Sequence, residues 1–138
     1  KKYDKAKEVY EKALKIDPDF APAANNLAWL YTEHGGNIDV ALDLAQKANE
    51  KLPEDPGVSD TLGWIYYKKN VYLKAISLLK ESSEKLEENH LVHYHLGMAY
   101  YKNGNRELAK KELNTALRLN QNFEGAEEAR NTLKVLNK

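Results

Sequence analysis

Cysteine is absent from this 138-residue chain. That excludes a disulfide framework and thiolate-bound metal, and it is compatible with a reducing or an oxidising compartment. A surplus of either charge is also missing, since 21 lysines and arginines balance 21 aspartates and glutamates. No overall field therefore draws the chain to nucleic acid or to an anionic membrane, and any charge-based recognition has to be local. Lysines are spread along the chain and balanced by nearby acids, so no basic stripe for nucleic acid forms. No apolar run approaches the roughly 18 residues of a membrane span, and no direct membrane insertion is expected. The opening KKYDKAKEVY has no signal-peptide apolar region. It begins inside a helical pattern without a starting cap, which reads as a piece cut from a longer protein. The compartment stays open between cytoplasm and periplasm or envelope.

Catalytic signatures are lacking as well. There is no cysteine nucleophile, no G-x-S-x-G and no phosphate loop. The carboxylate pairs Glu87 with Glu88 and Glu127 with Glu128 are consecutive, so they diverge instead of meeting at one point and read as solvated charges. His90, His93 and His95 suggest metal, yet His93 and His95 point to different helix faces, and His90 with His93 has no third ligand at helical spacing. His93 is expected to be packed and His95 to face a neighbouring repeat. Neither an enzyme, a metal site nor a cofactor is expected.

What the chain has instead is a repeated phrase. TLGWIYY at 61–67 returns as HLGMAYY at 95–101, with Leu62 and Leu96 34 positions apart. Placing Leu27 in the same register brings Ala28 under Gly63 and Gly97, and Tyr31 under Tyr66 and Tyr100. A second set follows: Ala6, Ala41, Ala75 and Ala109, then Tyr10, Ala45, Leu79 and Leu113, then Ala13, Ala48, Ser82 and Ala116, at steps of 35, 34 and 34. The extra residue belongs to the EHGGN turn, where an insertion costs little, and is assigned to Gly35 or Gly36.

Each unit carries two helical patterns separated by a turn, EHGGN, KKNV or KNGN, and ends at a second break. One hairpin cannot bury its apolar side alone, whereas stacked hairpins share a continuous core between neighbours. Gly63 and Gly97 stand mid-helix, where glycine costs about 1 kcal/mol relative to alanine. Their presence predicts that another helix comes too close for a side chain, with Ala41, Ala75 and Ala109 playing the same part on the returning helix.

These residues resemble the tetratricopeptide repeat, a helix pair of about 34 residues. Residues 21–55, 56–89 and 90–123 resemble complete repeats, residues 1–20 the second helix of a preceding one, and residues 124–138 a C-terminal capping helix, all within one solenoid. The terminal proline of the pattern survives at Pro18 and Pro53 but becomes Glu87 and Gln121, which predicts looser junctions after the second and third repeats. The resemblance implies an all-α, right-handed solenoid of antiparallel helix pairs, whose first helices line a concave groove for a partner's peptide or helix. The wider phrasing, NNLAWLYTEHGGN and DTLGWIYYKK, is similar to long bacterial members of the family in envelope and exopolysaccharide systems.

Carried over by register, the groove positions include Asn25, Trp29, Thr32 and Glu33, then Asp60, Trp64, Tyr67 and Lys68, then Tyr94, Met98, Tyr101 and Lys102. The set is aromatic, and rigid aromatics bury much area at small entropic cost. Two readings follow. In the first, the chain is a scaffold that binds a protein or peptide in this groove. In the second, the aromatics fill the inner curve and the chain is a spacer or self-assembling scaffold, with residues 1–16 as the associating segment. Solvent access at Trp29 and Trp64 divides the two. A carboxylate clamp from Asn25, Asn26, Lys68 and Lys102 is opposed by Asp60 in their midst.

Overall fold

In the computed structural model, which describes residues 2–138, eight helices and no strand are found among the described residues. They are α1 (Lys2–Ile16), α2 (Ala21–Glu33), α3 (Ile38–Lys51), α4 (Pro56–Lys68), α5 (Tyr72–Lys85), α6 (His90–Asn103), α7 (Arg106–Leu119) and α8 (Ala126–Leu136). Consecutive helices fold back on one another, α2 on α3, α4 on α5 and α6 on α7, and each hairpin lies against the next through α3 with α4 and α5 with α6. The result is an all-α solenoid.

The repeated phrase is explained by the approach within each hairpin. A Cβ on Gly63 would stand 2.8 Å from Leu79 Cγ, and one on Gly97 would stand 2.7 Å from Leu113 Cγ and 3.2 Å from the Leu113 backbone nitrogen. Leucine thus fills the space that glycine vacates. In the first hairpin the corresponding positions are Ala28 and Ala45, both fully buried in one cluster with Ala41, Leu62 and Ile65. The first hairpin thus meets through two small residues, where the others pair a glycine with a leucine.

The turns settle the position of the inserted residue. Gly35, Asn70 and Gly104 all adopt left-handed φ, at 89°, 66° and 88°. Val71 N donates to Tyr66 O and Asn105 N to Tyr100 O, both at 2.9 Å, and each of these residues also begins the next helix through its own carbonyl. In the first turn the two roles are split, because Gly36 N donates to Tyr31 O at 2.8 Å while the Asn37 carbonyl accepts from Ala41. Gly35 therefore belongs to the shared turn and Gly36 is the extra residue. Asn37 gains a further use, its side chain accepting from Asp39 N and Val40 N at the start of α3.

The second junction is not looser than the first, contrary to the expectation from its lost proline. Leu86 N donates to Ser82 O at 2.9 Å and Asn89 N to Leu86 O at 3.1 Å, which matches Leu52 to Ala48 at 2.8 Å and Asp55 to Leu52 at 3.1 Å. Asp55 and Asn89 then cap α4 and α6 with the same pair of side-chain hydrogen bonds, so the cap fixes the corner and proline is dispensable. Only the third junction, 120–125, is longer, and it enters α8 through Gly125 at φ 107°.

Candidate partner-binding groove

Helices α2, α4 and α6 stack side by side, and α8 follows α6 in the same row. Tyr94 donates its hydroxyl to Glu128 Oε1 at 3.0 Å, and Thr132 Oγ1 lies 3.7 Å from Met98 Sδ, each pair 34 positions apart. Between these helices runs a cleft of about 380 Å³. Trp29 and Glu33 of α2 form one side, Trp64 and Lys68 of α4 and Tyr94 and His95 of α6 the floor, and Phe123, Glu124 and Glu128 the far wall.

Of the predicted groove residues, Trp29, Glu33, Trp64, Lys68 and Tyr94 line this cleft, while Asn25, Thr32, Asp60, Tyr67, Met98, Tyr101 and Lys102 do not. Trp64 is only 3% exposed. Its ring stacks on Tyr67 at 4.4 Å and on His95 at 4.0 Å, and its Nε1 donates to Glu33 Oε2 at 3.0 Å. Tyr94 and Met98 are buried too, covered by the segment that leads into and through α8. These three are walls, not exposed anchors. Trp29 remains partly open, 5.6 Å from the His95 ring. Tyr101 is partly buried, while Lys68 and Lys102 are exposed with their ammonium groups 5.0 Å from the Trp64 ring and 5.8 Å from the Tyr101 ring.

The polar candidates are mostly engaged. Asp60 holds buried His95 through its Nδ1 at 2.8 Å, so His95 does face the neighbouring hairpin. Thr32 donates to the Ala28 carbonyl of its own helix. Asn25 Oδ1 is buried without a hydrogen-bond partner. His93 bonds Glu112 through Nδ1 at 2.6 Å and the Glu87 carbonyl through Nε2 at 2.7 Å. Two acceptors require two N–H donors, and the Glu112 hydrogen bond raises the His93 pKa accordingly, against the opposing effect of burial.

Electrostatics in the cleft lean negative. Burial above all, then the charge and hydrogen bond of Glu128, raise the Tyr94 pKa, with a further contribution from Glu33. The Tyr67 hydroxyl is pushed up to about 12 by burial and by Glu128. Carboxylates from α2 and α8 therefore act on the same Tyr94 hydroxyl. Glu128, read from sequence with Glu127 as a solvated charge, is exposed but also accepts from the Tyr94 hydroxyl, while Phe123 and Glu124 are not singled out as groove residues because the segment after α7 lacks the Leu-Gly-x-x-Tyr phrase. Carrying the 34-residue step once more from Tyr94 and Met98 reaches Glu128 and Thr132, and this is the signal that places Glu128 at the groove. Among the described residues no three His, Cys, Asp or Glu side chains gather to hold a metal, and no helix is long and apolar enough to cross a membrane.

Models of the tetratricopeptide repeat match residues 1–65 and 90–123. The chain is a tetratricopeptide-repeat protein. Among solved structures it resembles TTC0263, a tetratricopeptide-repeat protein of Thermus thermophilus, at 26% identity with a TM-score of 0.75, over 97% of this chain and 72% of that one. MamA of strain AMB-1 shares 24% identity with a TM-score of 0.74, over 99% of this chain and 88% of that one. The first tetratricopeptide-repeat unit of Spaghetti (RPAP3), bound to the HSP90 peptide SRMEEVD, shares 22% with a TM-score of 0.72, over 86% and 94%. The latter two likenesses show the fold alone. In sequence the chain is 37% identical over 70 residues to the photosystem I assembly protein Ycf3 of Prochlorococcus marinus. That alignment takes in 49% of this chain, which spans 40% of that relative's length.

Proposed function

We propose that this tetratricopeptide-repeat chain is a protein-interaction module that takes a peptide or helix of another protein along the row of α2, α4 and α6. The observation that carries this reading is the cleft of about 380 Å³, whose walls include Trp29, Tyr94 and Phe123. Concave sites with aromatic walls and a few placed polar groups are where ligands bind. The peptide carried by the Spaghetti unit supports it by analogy of fold. Trp29, Tyr67, Lys68, Tyr101 and Lys102 are the groups a partner would reach, while buried Trp64, Tyr94 and Met98 shape the surface beneath. Balanced charge favours protein over nucleic acid as the partner.

Affinity capture with the immobilised chain tests the reading. Trp29→Ala and Tyr101→Ala should each lose the partners that the unaltered chain retains, with melting temperatures showing both variants folded. Trp64→Ala is unsuited, because that ring is part of the core. Undiminished capture by the Trp29→Ala, Tyr101→Ala double variant would move the partner surface elsewhere. A second reading, a spacer or self-assembling scaffold, draws support from the burial of Trp64 and from the apolar side chains left open on α1: Tyr3 at 52%, Val9 at 61% and Ile16 at 87% exposure.

A further inference from the structure

The cleft has a charge character that the even balance of the whole chain conceals. Three carboxylates, Glu33, Glu124 and Glu128, line it against the single ammonium of Lys68. Glu33 comes from α2 and Glu128 from α8, and the two are fixed in the same way. One oxygen of each accepts from a wall residue, Trp64 Nε1 for Glu33 and the Tyr94 hydroxyl for Glu128, both at 3.0 Å. Among the described residues neither takes part in an ion pair. Their charges converge on Tyr94, whose hydroxyl lies beside the open space. The chain also shows that this aromatic surface accepts a cation, since Lys68 Nζ rests 5.0 Å from the centre of the Trp64 ring.

We propose that the cleft takes an arginine side chain of the partner peptide, its guanidinium between Glu33 and Glu128 and its stem against Trp29 and Tyr94. This rests on the groove reading above and adds the chemistry of the ligand. Arginine fits better than lysine, because a planar guanidinium stacks on aromatic faces while its fork of donors reaches two carboxylates. Phe123 stands beside these carboxylates in the lining, and because Glu124 and Glu128 are themselves exposed, solvent screens part of the pairing. An acidic tail such as SRMEEVD is disfavoured here, since Glu33, Glu124 and Glu128 would repel it.

Tryptophan fluorescence of the intact chain, titrated with the peptide acetyl-Ala-Leu-Arg-Leu-Ala-amide, tests this against forms with citrulline, lysine or glutamate in the central place. Citrulline keeps the shape of arginine without its charge. The arginine peptide should bind about tenfold more tightly than the citrulline peptide, a difference of about 1.4 kcal/mol. Glu33→Gln and Glu128→Gln each retain an acceptor for Trp64 or Tyr94, and each should bring the arginine affinity toward that of citrulline. Lys68→Met should tighten arginine binding by removing the competing cation. Equal affinity for arginine and citrulline would overturn the proposal and leave an apolar groove standing, as would a preference for glutamate. Absence of binding by every peptide would count against the groove itself.

Discussion

The two ends of the solenoid present helices of 15 and 11 residues, and the shorter is the better buried. α8 buries Ala126, Ala129, Thr132, Leu133 and Leu136, whereas α1 buries none of its residues. The difference lies in register. α8 continues the row of first helices, so its Glu128 and Thr132 fall opposite Tyr94 and Met98, and Arg106 closes its last turn by donating to the Leu136 carbonyl at 3.0 Å. α1 rests on α2 along one side only, with Leu14 joining the cluster of Ala21, Ala24, Ala48 and Val58, Tyr31 donating to Glu11, and Tyr3 stacked on His34. A helix is buried by the neighbours it reaches and not by its own apolar content: α8 meets both α6 and α7, whereas α1 rests chiefly on α2.

The largest expected effect comes from opposing truncations at these ends. Leu136→Ala removes a fully buried side chain and should cost about 2–5 kcal/mol, while Val9→Ala should change stability by about 0.5 kcal/mol or less. Urea unfolding of both variants measures the contrast. Comparable losses would mean that α1 is covered in solution by something that buries Val9. Between the ends, Ala75→Leu should cost about 1–3 kcal/mol, because added methylenes enter a site with no exposure where α5 meets its neighbours. An unchanged thermal midpoint there would remove the basis for the common register.

Much of this was legible because the period writes itself in small residues. Gly63 and Gly97 announce a close approach in sequence, and Leu79 and Leu113 supply the atoms that require it. The position of the insertion was legible to within two glycines, and it took the left-handed φ of Gly35 to choose between them. The groove was less readable. Register placed Trp64 on the inner face, but its burial depends on His95, 31 positions further on, and on Glu33, 31 positions before it, and register does not predict where these side chains reach. Glu128 reads as a solvated charge in sequence, and its place in the groove is missed for another reason: Asn131 stands in α8 where Gly63 and Gly97 stand earlier, so the marker that reveals the repeat is missing where the row continues.

A smaller effect separates the hairpins by pH. His93 and Glu112 occupy the register of Ser59 and Leu78 in the middle hairpin and of Ala24 and Leu44 in the first, so only the last hairpin holds a titrating pair there. The folded pKa of His93 is raised above its ordinary 6.5, so the pair contributes fully below about that pH and its contribution fades as pH rises through the folded value. A His93→Ser, Glu112→Leu variant, which copies the middle hairpin, should have a flatter stability profile, and its difference from the unaltered chain should shift in the variant's favour as pH climbs from about 6 to about 8. Unfolding midpoints across that range check it, and parallel profiles would show that His93 keeps its charge state on unfolding.

The smallest effect concerns what α1 does with its open side. Tyr3, Val9 and Ile16 are exposed on α1, whose other exposed residues are charged, and Lys1, the first residue of the proposed associating segment 1–16, lies outside the described residues. Covering apolar surface contributes about 25 cal/mol per Å², so a patch of about 200 Å² contributes on the order of 5 kcal/mol. Association itself costs an estimated 4–15 kcal/mol in lost freedom, and charged neighbours such as Lys5, Lys12 and Glu8 must also be accommodated. When two copies pair, a patch on each is covered and the gain is about doubled, so at the low end of that cost the balance favours pairing that appears only in concentrated solution. Light scattering over a dilution series should show a mass above the monomer near millimolar concentration and the monomer at micromolar, with Val9→Lys moving the onset to higher concentration. A strict monomer throughout would remove self-association, and an onset unaffected by Val9→Lys would place the contact away from α1.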